Sequence, residues 1–146
     1  MKKRMAIIAA GILLLMCLAV LPAWSRFSQE GIMRFVLSHR ETLEEIAADC
    51  LNQNRTAERY KGVEVEGVFP GEHPIVQFST GGFGLVPSTG YCGFYYSESG
   101  RPAAYQNVDM ELVPVSDDEW TWTDGTDNGG VTRRIDEHWF SYKAWF

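Results

Sequence analysis

The chain has 146 residues, of which 45% are hydrophobic and 22% charged, with a formal net charge of −6 and three cysteines. This composition is that of a globular protein, and the length suits one domain with a core of its own. All 19 acids but only ten of the 13 bases lie beyond Ser25, giving that part a charge of −9 with no Lys/Arg stripe, which disfavours nucleic acid and anionic headgroups as partners.

In chain order, Lys2, Lys3 and Arg4 precede an uncharged run over residues 5–21. A basic start before an apolar run is the pattern of a secretory signal, and a run of this length borders on that of a membrane-spanning helix. Residues 1–25 are therefore read as a signal peptide or transmembrane anchor, with the membrane as partner of residues 5–21, and residues 26–146 as a single extracytoplasmic domain. Uncut, the segment makes a single-pass protein of the cell membrane with its C-terminal domain outside. Ala23 and Ser25 provide an A-x-A-like cleavage site, and a cut near Ser25 releases a secreted domain. Leu14-Leu15-Met16-Cys17 has the outline of a lipobox, but Met16 stands where a small residue is needed.

Over residues 28–54, Ile32, Val36, Leu43, Ile46, Ala47 and Cys50 recur at helical spacing on one stripe. This predicts one amphipathic helix. Ser38 with Glu41, and Thr42 with Glu45, match the capping-box pattern, which allows a restart near Ser38. His39 falls in the stripe and is read as a half-buried packing residue.

After Tyr60 the period changes to alternation, with turn residues every ten or so positions. Strands are expected near 62–69, 75–79, 90–97, 110–115, 119–123, 131–136 and 137–145. The short connections favour antiparallel hairpins. In the last strand Phe140, Tyr142 and Ala144 share a face and make the better core set, opposite Trp139, Ser141, Lys143 and Trp145. The expected fold class is α+β: an N-terminal apolar segment, then one amphipathic helix packed on an antiparallel, aromatic-rich sheet.

Few stretches point to chemistry. Asp124, Thr126 and Asn128 alternate ahead of Gly129 as in the first half of a calcium loop, but Ile135 stands where the bidentate acid belongs, and a polar hairpin turn explains the same residues. No metal site is assigned. Val86-Pro87-Ser88-Thr89-Gly90 is a variant of a wall-sorting signal, yet more than fifty residues follow it, so it is read as a turn. Thr80-Gly81-Gly82-Phe83-Gly84 lacks the helix start of a phosphate cradle and is read as glycines permitting a bulge. Cys92 with His73 or His138 supplies the parts of a thiol enzyme but lies in no nucleophile motif. Cys50 and Cys92 are the cysteines available to pair in an exported domain, and a bridge between them is a candidate.

Aromatic residues make up 13% of the chain and gather after Tyr60. Trp120, Trp122, Trp139 and Tyr95 are the candidate binding residues, because solvent-facing rings on a sheet stack on sugars or anchor a partner; core packing and cross-strand pairing are the plainer use of the same rings.

Gly82-Phe83-Gly84-Leu85-Val86-Pro87-Ser88, Gly93-Phe94-Tyr95-Tyr96-Ser97, Glu111-Leu112-Val113-Pro114-Val115 and Asp136-Glu137-His138-Trp139-Phe140 together resemble small uncharacterised membrane-anchored or exported proteins of anaerobic Gram-positive bacteria. The resemblance implies an apolar segment, a helix and an aromatic-rich sheet, and it implies no activity. A membrane-fed helix on an antiparallel sheet also looks like a type IV pilin in outline, without the pilin processing motif. The expected function is a non-catalytic cell-surface binding or interaction module, with envelope proteins or glycans as partners and no cofactor. Two alternatives stand beside it: an envelope thiol enzyme or hydrolase using Cys92 and His138, and a pilin-like structural subunit.

Overall fold

In a computed structural model, residues 28–53, 59–85 and 88–146 are described. The apolar run over 5–21 and the cleavage site at Ser25 lie outside the described residues. No described helix is long and apolar enough to cross a membrane.

The predicted single helix is two. Helix α1 (Gln29–Ser38) starts at Ser28, whose hydroxyl accepts from Gly31 N at 3.0 Å, with Glu30 in the first turn. It ends at His39, whose N–H points back to the carbonyls of Phe35 and Val36. Helix α2 (Arg40–Gln53) resumes at once, Leu43 N donating to His39 O at 3.0 Å. The stripe survives the break: Ile32, Val36, Leu43, Ala47 and Cys50 all reach the core. Burying Ile32, Val36 and Leu43 contributes about 1.5–3 kcal/mol each relative to exposure.

The larger correction concerns the fold class. The chain is mostly one eight-stranded antiparallel sheet carrying two short helices, and not an α+β fold built on one long helix. The strands are β1 (Arg59–Tyr60), β2 (Val63–Phe69), β3 (Ile75–Leu85), β4 (Ser88–Ser97), β5 (Val113–Ser116), β6 (Glu119–Thr123), β7 (Gly129–Arg134) and β8 (Trp139–Trp145). Their order is β1-β2-β3-β4-β8-β7-β6-β5. Two meanders thus join through their last strands, β4 beside β8. Short hairpins make each meander, and the one long connection, residues 98–112, must carry the chain from the centre of the sheet to its far edge.

That connection explains why both faces of the central strands are buried. Helices α1 and α2 cover one face, packing on Val65, Val76, Phe78, Phe94 and Trp139. The 98–112 segment lies as a strap on the other, where Ile75, Tyr95, Ala103, Phe140 and Tyr142 form a second core. Trp122, Ala144 and Ala104 continue it, with Met110 and Leu112 alongside. Cross-strand rings lock the register: Phe78 stacks on Phe94 with centroids 4.9 Å apart, and Tyr95 on Phe140 at 5.1 Å.

Two bulges bend the first meander, one between Val65 and Gly67 and one between Ser79 and Gly81. The second realises the bulge expected at Thr80-Gly81-Gly82, though β3 continues through these glycines. Gly93, on β4, is needed for a different reason. A Cβ there would collide with Phe78 O and come within 2.7 Å of the Tyr142 hydroxyl, so only glycine lets Tyr142 lie across β4.

Candidate functional site

The strap is fastened by polar side chains that rise from the sheet. Gln77, 0% exposed, points to the strap side of β3, and its carbonyl accepts from Gln106 N at 2.9 Å. Its amide donates to the Glu66 carboxylate on β2. Asn107, at φ 53°, reaches from the strap to the β2–β3 turn, donating to the carbonyls of Phe69, Pro70 and His73 at 3.1–3.3 Å. Left-handed backbone at a non-glycine residue is tolerated best by asparagine, and these three bonds hold it there.

Glu66 is the uncommon member of this network. The Val65/Gly67 bulge sets its half-buried side chain among Gln77, Ser79 and the strap-side tyrosines. Burial raises its pKa above the ordinary carboxyl value; hydrogen bonds from Gln77 and Ser79 act the other way, and the charge of Glu64 adds to the rise. No basic side chain pairs with it among the described residues, whereas Glu64 is paired with Arg59. The phenols nearby are also shifted. Burial, with Glu66 second, pushes Tyr105 up to about 12 and raises Tyr142 further, so both stay neutral at physiological pH.

Beside this carboxylate the rings form a partly open wall. Tyr91 and Tyr105 stack with centroids 5.5 Å apart. Phe146 meets them at 6.0 and 5.7 Å, and Tyr105 contacts Tyr142 at 5.4 Å. Phe146 is 41% exposed, and a hollow of 410 Å³ opens next to it between Trp145, Asp127 and Ser88, Thr89 and Gly90 of β4. A separate cleft of 520 Å³ is lined by the β2–β3 turn at His73 and by the strap at Arg101, Asn107, Met110 and Leu112.

The residues singled out by sequence are distributed differently. Trp139 is 0% exposed under the helices, its indole N–H without a hydrogen-bond partner among the described residues. Tyr95 is 1% exposed, its hydroxyl bonded to Ala103 and Thr132. Trp122 is buried under Ala104 and Gly130, and Trp120 is half-buried against Phe140 and Arg134. Trp139, Tyr95 and Trp122 are therefore core residues, whereas Trp120 is half-buried like Tyr91 and Tyr105, and the exposed rings are Trp145 and Phe146.

Cys50 and Cys92 are not bridged: Cys50 faces the core from α2, while Cys92 lies in β4 with its thiol 3.3 Å from Gly81 O. Cys92 and His138 are not brought together either. Cys92 pairs with Lys143, five residues or about 17 Å of strand from His138, and the His138 Nδ1 lies 3.1 Å from Ser97 O. Asp124 spends its oxygens on Thr126 N, Thr126 Oγ1 and Asn128 Nδ2, at 2.6–2.9 Å, which is the chemistry of a polar turn and holds its pKa low. Among the described residues no group of three or more His, Cys, Asp or Glu is placed to hold a metal.

Comparison with known proteins finds no matching family model, no matching curated protein and no matching solved structure.

Proposed function

We propose that the protein is a non-catalytic binding module of the cell surface, carried there by the segment over residues 5–21, and that it takes its ligand on the strap side of the sheet around Glu66 and Tyr105. One observation carries this reading: a half-buried carboxylate with no basic partner among the described residues lies beside a partly exposed wall of stacked rings. A half-buried charge is costly to keep, and perturbed ionisable groups of this kind gather at functional sites. The rings supply rigid contact area at little entropic cost. A nucleophile with a neighbouring base, which a thiol hydrolase requires, has no counterpart in the placement of Cys92 and His138.

The test is a binding survey with the full-length chain in detergent, titrated with cell-wall glycan fragments and with solubilised envelope proteins. Saturable binding that is lost in Tyr105→Ala and kept in Val113→Thr, on the far edge strand, is the expected result. Saturable binding indifferent to Tyr105→Ala would move the site elsewhere.

A further inference from the structure

Resting on that reading, the geometry points to the class of ligand: we infer that the strap-side site takes an organic cation, an ammonium or guanidinium group that pairs with Glu66 while its carbon skeleton lies against Tyr105 and Tyr91. The protein end of that ion pair is already built. Glu66 is fixed by the amide of Gln77, a side chain that is 0% exposed and is itself fixed by the strap at Gln106. A carboxylate held in one place, half out of water, binds a cation with little further loss of freedom.

The charges that face Glu66 all favour a positive guest. Glu64, on the same strand, adds negative potential, and its own partner Arg59 is exposed and paired. The hydroxyls of Tyr105 and Tyr142, facing it from the strap and from β8, are neutral. No Lys, Arg or His among the described residues competes for the position. The neighbouring rings have the negative faces that attract a cation, and the part of the chain beyond Ser25 carries −9, which draws cations toward the whole domain. A neutral sugar would use the rings but would leave the buried charge uncompensated.

The test uses the full-length chain and three small probes: agmatine, glucosamine and N-acetylglucosamine. The two sugars share a ring and differ in one charge at neutral pH. Calorimetry is expected to show agmatine bound and glucosamine bound at least about tenfold more tightly than N-acetylglucosamine, the scale of a hydrogen-bonded charge pair. Glu66→Gln, which keeps the acceptor for Gln77, should remove that preference, and Tyr105→Leu should weaken all three probes. A melting curve on each variant confirms the fold. Equal affinity for the two sugars, or an agmatine affinity unchanged in Glu66→Gln, would overturn the cation assignment while leaving the binding site intact. No binding of any probe would overturn the assignment, and failure of the wider survey as well would remove the binding reading with it.

Discussion

The hydroxyl of Tyr95 grips both backbone groups of Ala103: it accepts from Ala103 N at 2.8 Å and reaches Ala103 O at 3.2 Å. A side chain from the central strand thereby stands in for a β-ladder that the strap does not have. Burial raises the phenol's pKa, so it remains a donor. Tyr95→Phe leaves Ala103 N–H without its partner inside the core, while the Thr132 hydroxyl keeps its bond to Ser141 O, and the change should cost about 1–3 kcal/mol. Urea unfolding measures the loss, and hydrogen exchange should quicken at Ala103, Gln106 and Asn107 before it does in β4. Unchanged exchange in the strap would mean that packing alone holds it.

At Asn107 two variants separate side-chain bonding from backbone strain. Asn107→Ala loses three bonds to the β2–β3 turn and keeps the left-handed backbone, for an expected cost of about 1–3 kcal/mol. Asn107→Gly loses the same bonds but adopts φ 53° freely, and should fall between the alanine variant and the native chain. If alanine and glycine prove equal by denaturant midpoint, the backbone conformation contributes nothing.

Glu66 sets the sign of one pH effect. Its folded pKa lies above the ordinary value of 4.5, chiefly through burial, so the folded chain holds this proton more tightly than the unfolded chain. The contribution to stability is complete below the unfolded pKa and is lost as pH rises through the folded one. Glu66→Gln should therefore raise Tm at neutral pH, and the difference between variant and native chain should shrink as pH falls below 4.5. A difference that grows on acidification would show that the carboxylate, not the acid, is the favoured form.

The thiols give a check on the core. Cys92 is 1% exposed and Cys50 is 4% exposed, so iodoacetamide should leave both unmodified in the native chain and modify both in denaturant, as read by peptide mass. Rapid alkylation of Cys92 in the native chain would reopen the thiol-enzyme alternative.

Much of the architecture was legible because alternation is local. The strand 119–123 was expected and found with the same bounds, and β2, β4 and β8 begin or end within two residues of expectation. Three features were not legible, for physical reasons. The helix break at His39 leaves the apolar stripe intact, so periodicity passes over it and only the capping pattern near Ser38 marked it. The balance of the fold was missed because the glycine-rich part of β3 and the two-residue β1 carry no periodic signal. The strap was missed for the same reason: Ala103, Ala104 and Tyr105 show no period, yet they bury the face of β8 that holds Phe140 and Tyr142 while the helices bury Trp139. Alternation alone selects one core face, and here both faces are core. Glu66 carries no signal on the same grounds, since Val-Glu-Val-Glu reads as a solvated edge until the Gly67 bulge is known.

The cation site at Glu66 is read most directly by a carbon-13 NMR titration of its side-chain carboxyl in the full-length chain, with and without agmatine. With a cation site there, the midpoint lies above the ordinary 4.5 in the free protein and shifts toward lower pH when agmatine is present, because a bound cation favours the carboxylate. A midpoint at or below 4.5, or one that agmatine does not move, would contradict the cation site.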